Sequence, residues 1–217
     1  MNRRLLQPER PHTRAEELAN CISHGAGVVA VLIGAPVLLL NAVRHGTVSA
    51  IVGVAVFALT MLLLYTASTI YHALPVGRAK EILRVVDHAA IFLLIAGTYT
   101  PFTLGVLRGV WGWTLFFAVW ILAFAGVALK ILQGPRYPVV STWLYVGMGW
   151  LMMIAIRPLC ERMPPSGLAL LGGGGLFYTG GLGFYAAREM PFRHLIWHLF
   201  VLAGTTCHFF AILWYAG

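Results

Sequence analysis

The chain has 217 residues, of which 59% are hydrophobic and only 10% are charged, and its formal net charge at pH 7 is +8. With a mean hydropathy of +0.82, it has too few polar residues to cover the surface of a soluble globular domain. The composition therefore excludes an ordinary soluble protein and predicts an all-α integral membrane protein.

Seven long apolar segments follow one another along the chain, and each is close to the roughly 20 residues that an α-helix needs to cross the hydrocarbon layer. They cover about residues 22–43, 48–73, 83–104, 111–132, 138–157, 167–187 and 194–215. Glycine, proline and charged residues coincide in the connections, none of which is longer than about a dozen residues. The sequence thus predicts a single domain, residues 1–217, made of seven transmembrane helices.

The segment before the first predicted span, residues 1–21, carries arginine and proline but no apolar run. It therefore lacks the features of a cleavable signal peptide, and the first span itself is expected to direct insertion. Within this segment, residues 14–20 are expected to form a short helix that lies at the cytoplasmic interface with Leu18 toward lipid.

The positive charges are distributed unevenly over the two predicted sides of the membrane. One side holds Arg3, Arg4, Arg10, Arg14, Arg78, Lys80, Arg84, Lys130, Arg136, Arg188 and Arg193, and the other holds Arg44, Arg108, Arg157 and Arg162. Because the side richer in Lys and Arg is normally cytoplasmic, we expect a cytoplasmic N-terminus and a C-terminus outside. The positive net charge then reflects topology and contact with anionic lipid headgroups, and it gives no reason to expect nucleic-acid binding.

Ionisable and polar residues from three predicted helices meet at the cytoplasmic side. The second span ends with Ser68 and His72, the third begins near Asp87, and the seventh begins with His194 and His198. Residues four apart share one face of a helix, so the two histidines of the seventh span can reach a common ion.

Three neutral imidazoles with one open position are typical of a catalytic zinc site. The sequence therefore predicts that His72, His194 and His198 bind Zn²⁺. Asp87 would then be a carboxylate that accepts a hydrogen bond from the water at the open position. His208 is expected too far along the last helix to bind the same ion, because ten residues separate it from His198.

Each of these residues also has a purely structural explanation. Asp87 would be favoured in the first turns of a helix by the helix dipole, or it would pair with Arg84. The Ser68 hydroxyl would bond to the carbonyl four residues earlier. For the histidines, the structural alternative requires three polar groups to turn inward independently on one side of the membrane, despite the cost of polar groups in hydrocarbon. His12 and His45 are interpreted as interfacial residues without a role in the site.

An ordered set of motifs resembles the bacterial hemolysin III proteins, prokaryotic relatives of the adiponectin and progestin receptors. The motifs are Glu17-Leu-Ala-Asn20-Cys-Ile-Ser-His24-Gly25, Ser68-x-x-x-His72, Asp87-His-x-x-Ile91, Gly97-Thr-Tyr-Thr-Pro101 and His194-x-x-x-His198. The resemblance covers nearly the whole chain. It implies seven helices in the bacterial cytoplasmic membrane, with the N-terminus in the cytoplasm.

The resemblance also implies roles for individual residues. In the receptor branch, the histidine of the S-x-x-x-H motif and the two of H-x-x-x-H hold zinc, which corresponds to His72, His194 and His198. The aspartate beside the bound water corresponds to Asp87, and the motif serine near that water corresponds to Ser68. Because the wider superfamily includes ceramidases, the resemblance suggests hydrolysis of a lipid amide.

Three functions remain open from the sequence. The first is a zinc-dependent hydrolase of a lipid amide or ester, with membrane lipids as substrate. The second is a non-enzymatic membrane protein whose zinc site is structural or sensory, acting in membrane homeostasis or permeabilising membranes. The third is a proton or ion carrier, which is the least favoured because its polar groups would have to spread across the full membrane thickness.

Overall fold

The computed structural model describes residues 11–134, 138–187 and 189–216. Within these ranges the regular structure is entirely helical, as the composition predicted. The α-helices are α1 (Arg14–His45), α2 (Val48–Ala73), α3 (Arg78–Pro101), α4 (Gly109–Gln133), α5 (Pro138–Gly149), α6 (Ile156–Arg162), α7 (Pro165–Ala186) and α8 (Arg193–Tyr215). A π-helical segment, Phe102–Leu107, extends α3, and a 3₁₀ segment, Leu151–Ala155, joins α5 to α6.

Six helical segments of the described chain are long and apolar enough to cross a membrane. They are Arg14–His45, Val48–Ala73, Arg78–Leu107, Gly109–Gln133, Val139–Arg162 and Arg193–Tyr215. The remaining predicted span corresponds to α7, whose 22 residues extend about 33 Å but whose many glycines lower its hydropathy. The multi-pass helical architecture is therefore confirmed, while the count of seven crossings depends on α7 and stays a prediction.

The start of α1 differs from the prediction, because residues 14–20 form its first turns rather than a separate interfacial helix. A capping box begins the helix: the Glu16 amide donates to Thr13 Oγ1 at 3.2 Å, and the Thr13 amide donates to the Glu16 carboxylate at 2.8 Å. Neither glycine nor proline interrupts the next two turns. The 32 residues of α1 extend about 48 Å, which exceeds the hydrocarbon thickness. Leu18 is 61% exposed, as expected, and residues 1–10 lie outside the described part of the chain.

Helices that follow one another in the sequence are neighbours in the bundle. α1 packs on α2, α2 on α3 and α3 on α4, while α7 packs along α8. The bundle closes where α8 returns to α1. This arrangement brings the first turns of α1, α3 and α8 and the last turn of α2 to one end of the molecule, which we call the site end.

Glycines allow α7 to approach α8 closely. A Cβ atom at Gly174 would lie 2.3 Å from His208 Nε2, and one at Gly181 would lie 2.7 Å from Phe200 Cβ. Both separations are well below van der Waals contact, so the two positions need glycine to keep this packing. Gly174 also leaves room for the His208 ring in the interior.

The predicted fifth span, 138–157, is broken in the structure after Gly149. The Tyr99 hydroxyl stabilises the break, because it donates to the Met148 carbonyl at 2.7 Å and accepts from the Met152 amide at 2.8 Å. Backbone groups released from the regular helix thus keep partners inside the bundle. Gly149 and Met152 border the internal cavity described below.

Candidate metal centre

Three histidines from two helices converge at the site end. His72 lies in the last turn of α2, and His194 and His198 lie in the first two turns of α8. One ring nitrogen of each lies within 4.8 Å of the others. His72 and His198 are buried, and His194 is partly buried. The structure therefore brings together the three residues that the sequence predicted as metal ligands.

Hydrogen bonds to Nδ1 fix the ring orientation of two of these histidines. His72 Nδ1 lies 2.7 Å from Glu17 Oε2, so it donates a proton to the carboxylate. His198 Nδ1 lies 2.9 Å from Ser23 Oγ, which in turn lies 2.8 Å from the Asn20 carbonyl oxygen. Because that carbonyl only accepts, the Ser23 hydroxyl donates to it and accepts from His198. In both rings, Nε2 is left with its lone pair.

The remaining ring nitrogens fit a metal ion. Among the described residues, Nε2 of His72 and Nε2 of His194 are buried without a hydrogen-bond partner, which normally costs about 1–3 kcal/mol for each group. Metal-binding histidines typically donate their other ring N–H to a carboxylate or carbonyl, the pattern seen at His72. Three imidazoles whose ring nitrogens lie this close together supply the donor set of a zinc site with an open fourth position.

Asp87 and Ser68 are both buried beside this cluster. The Asp87 carboxyl group lies close enough to Ser68 for the serine hydroxyl to influence the charge of the carboxyl group. Asp87 also borders the same cavity as His194 and His198. The structure supports neither of the purely structural explanations given above for Asp87 and Ser68. α3 begins at Arg78, so Asp87 lies beyond its first turns, and no ion pair with Arg84 forms within the described chain. Within the described residues, Ser68 Oγ makes no hydrogen bond to the preceding turn.

The cavity that begins at the cluster has a volume of about 390 Å³. Its walls are mainly apolar, with Asp87, His194 and His198 at the site end. His208 borders it further along α8, outside the three-histidine group, and its Nε2 lies 3.1 Å from the Leu171 carbonyl oxygen. A long apolar compartment that ends at polar, ionisable groups is suited to a lipid chain with a reactive polar end.

The structure adds His12, which sequence reasoning had set aside. Its ring centroid lies 5.3 Å from that of His194 and 6.2 Å from that of His72. With Glu17 and His72 it forms a second group whose ligand atoms lie within 4.8 Å. Burial lowers the pKa of His12, so the ring is neutral near pH 7. His12 precedes α1, so no helical spacing in the sequence could assign it to the site. His45 lies apart from the cluster, as predicted, with its Nδ1 near the Asn41 carbonyl.

His24 is a second residue that sequence reasoning assigned no definite role. Its ring stacks on that of His198 with centroids 3.5 Å apart and an interplanar angle of 5°. Both of its nitrogens are buried without a partner. The ring restricts the orientation of His198 and places two further polar atoms beside the cluster.

The Glu17→Gln variant is expected to bind metal about 10–100-fold more weakly than the wild type, because a neutral amide makes His72 a less basic ligand and orients it less well. Competition with a chromophoric chelator measures this affinity. Glu81→Gln is the matched control, since Glu81 is an exposed carboxylate at the start of α3. Equal affinities of Glu17→Gln and wild type would contradict the role of Glu17 in orienting His72.

Comparisons with known proteins agree with this picture. A family model described as "Haemolysin-III related" matches residues 12–209. Hemolysin-3 of Bacillus cereus is 44% identical over 200 residues, covering 92% of this chain and 91% of that protein. The Hemolysin-3 homolog of Bacillus subtilis (strain 168) is 44% identical over 203 residues, covering 94% and 95%.

A more distant relative is the Monocyte to macrophage differentiation factor of Homo sapiens, which is 29% identical over 209 residues and is matched over 91% of this chain and 83% of its own length. No solved structure has a significant match to the chain. The matched residues include the whole three-histidine cluster and extend over all but a few residues at each end.

Proposed function

The chain belongs to the hemolysin III family, which is related to the adiponectin and progestin receptor superfamily, and from this membership and the site geometry we propose that it is a zinc-dependent hydrolase of a lipid amide or ester. The observation that carries the proposal is the group of three imidazoles whose ring nitrogens lie within 4.8 Å of one another, with Nε2 of His72 and of His194 buried without a hydrogen-bond partner among the described residues. They lie at the end of an apolar cavity, next to a carboxyl and a hydroxyl group that have no other structural task.

In this proposal, His72, His194 and His198 hold Zn²⁺, which as a Lewis acid activates water and polarises the substrate carbonyl. Asp87 takes the proton from the attacking water and returns it to the leaving amine or alcohol. Ser68 orients the water, or donates a hydrogen bond to the oxygen on which negative charge develops. The apolar cavity holds the acyl chain and keeps bulk water away from these groups.

The proposal places the chain in the bacterial cytoplasmic membrane with seven crossings, α7 included. α7 is long enough to span, and its packing against α8 supports this count. The sequence predicts most Lys and Arg residues on the side of the site end, which supports a cytoplasmic location of that end. A lipid of the cytoplasmic leaflet can then bring its headgroup-proximal bond to the cluster.

Hydrolysis by purified protein tests the proposal. We expect zinc-loaded protein to cleave at least one of a panel of long-chain N-acyl amides and esters, chelator-treated protein to be inactive, and zinc to restore activity. His45→Ala is the control, because it removes an exposed histidine outside the cluster. No cleavage across the panel by zinc-loaded protein, or cleavage that persists after the metal is removed, would overturn the proposal.

Membrane permeabilisation is a second candidate, because the relatives at 44% identity are named Hemolysin-3. The mainly apolar walls of the cavity favour a lipid over a water-filled pore, which needs a continuous polar lining. Dye leakage from liposomes separates the two functions. Leakage caused equally by the wild type and by His194→Ala/His198→Ala would favour a metal-independent pore.

A further inference from the structure

Two positively charged side chains, the buried Lys130 and the partly buried Arg84, lie near each other at the site end. Arg84 lies in the second turn of α3, and Lys130 lies in the last turn of α4. Lys130 is only 5% exposed, and Arg84 Nε is buried without a hydrogen-bond partner in the part of the chain that the structure describes. Neither residue belongs to the histidine cluster.

The position of these two charges is unfavourable without a further ligand. Arg84 and Lys130 are close enough to repel each other. Within the described chain, carboxylates pair with Lys80, Arg157 and histidines, and none pairs with Arg84 or Lys130. Arg84 also lies near the N-terminus of α3, where the helix dipole disfavours a positive charge. Two neighbouring like charges, of which Lys130 is buried and Arg84 is partly buried with its Nε enclosed, favour an anion that comes from outside the chain.

Ordinary membrane topology explains only part of this arrangement. A lysine in the last turn of a helix is favoured by the dipole, and positive residues collect at cytoplasmic ends. Such residues usually extend into the headgroup region and stay exposed, as Arg14 and Arg78 do at the same end. The burial of Lys130 beside a second cation distinguishes this pair from them.

The pair lies next to the internal cavity. His88, one helical turn after Arg84, borders the cavity, and its ring experiences the charges of both Arg84 and Lys130. Tyr145, which also borders the cavity, fixes this turn by donating to the His88 carbonyl at 2.8 Å. An anion held by the pair would therefore be located about one helical turn, roughly 5–6 Å, from the polar end of the cavity.

We propose that Arg84 and Lys130 bind the phosphate of an anionic lipid headgroup, so that an acyl chain of the same lipid enters the cavity beside Asp87. A guanidinium supplies paired N–H donors that match two phosphate oxygens, and an ammonium adds a second charge without a fixed geometry. The cytoplasmic leaflet is rich in such lipids. That this lipid is also the substrate rests on the proposed function, whereas the binding itself does not.

Lipid preference of the full-length, metal-loaded protein tests this inference. Affinities for phosphatidylglycerol and phosphatidylcholine with identical acyl chains are measured by native mass spectrometry for the wild type and for Arg84→Gln/Lys130→Gln. We expect the wild type to prefer the anionic lipid and the variant to bind it about tenfold or more weakly, since charge-assisted bonds are lost. Its affinity for phosphatidylcholine should stay unchanged.

The matched control is Arg14→Gln/Arg78→Gln, which removes the same charge from exposed positions at the same end of the molecule. If the control loses as much affinity for phosphatidylglycerol, the effect comes from general surface charge and the proposed site is wrong. Inorganic phosphate is a separate probe. If it stabilises the wild type as much as phosphatidylglycerol does, and the lipid adds nothing, the ligand is a free anion and the lipid proposal is wrong.

Folding and metal binding are measured on the same samples. In phosphatidylcholine the Arg84→Gln/Lys130→Gln variant should be at least as heat-stable as the wild type, because the repulsion between two neighbouring cations is gone. Its zinc content should equal that of the wild type. A large loss of stability in phosphatidylcholine would show that the pair is structural and would overturn the site. If the wild type hydrolyses no lipid but still prefers the anionic lipid, the proposed function is wrong and the anionic-lipid site is retained.

Discussion

Detergent-purified wild-type protein is expected to contain about one zinc ion per chain, and the His194→Ala/His198→Ala variant is expected to contain none. The variant removes two of three imidazoles whose nitrogens lie within 4.8 Å of one another, so only His72 of that group remains. Elemental mass spectrometry, normalised to protein concentration, measures both values. His12 and Glu17 form a second group with His72, but the two Glu17 oxygens already contact His72 Nδ1 and Lys80, so we do not expect this group to retain the ion.

Two controls make this result specific. His45→Ala removes an exposed histidine outside the cluster and should keep the full metal content. The heat stability of the double variant, compared with that of chelator-treated wild type, separates loss of the ion from loss of the fold. If folded wild-type protein, purified without chelator, contains no stoichiometric metal, the zinc-dependent hydrolase mechanism is wrong. The three histidines would then be residues of helix packing or of a proton relay.

Much of the helical architecture follows from hydropathy and from the glycine, proline and charged residues that separate the apolar segments. The observed α2, Val48–Ala73, coincides with the predicted span, and α8 begins within one residue of its prediction. Breaks are harder to predict, because the interruption after Gly149 depends on the hydroxyl of Tyr99, a residue about 50 positions away. The continuous start of α1 likewise depends on how Thr13 and Glu16 cap each other, whereas the sequence alone predicted a separate interfacial helix over residues 14–20.

The convergence of His72 with His194 and His198 could be predicted because topology decides which helix ends meet. Alternating spans place the end of the second and the start of the seventh on the same side, and spacing by four places both α8 histidines on one face. The contacts of Glu17 and Ser23 with these rings could not be predicted in this way. They depend on the rotation of α1 about its own axis, and the low contrast between its faces in an apolar helix leaves that rotation undetermined in the sequence.

The Asp87→Asn variant is expected to keep the zinc content of the wild type and to lose about 10²–10⁴-fold in the rate of lipid hydrolysis. The amide has nearly the same shape and can still accept a hydrogen bond, but it does not take a proton from the attacking water. The cluster nitrogens belong to histidines alone, so metal binding should not depend on this residue. Turnover on the best substrate of the panel, measured beside metal content, checks both parts.

The comparison with Glu81→Gln isolates the role of Asp87, because both changes neutralise a carboxyl group on α3 and only Asp87 is buried at the cavity. Glu81→Gln should retain full activity. If Asp87→Asn were as active as the wild type, Asp87 would have no part in proton transfer, and another group would have to take the proton. If instead the Asp87→Asn variant lost its zinc, the Asp87 carboxylate would contribute to metal binding. A loss of turnover with the metal retained is the one combination that assigns Asp87 to the chemical step.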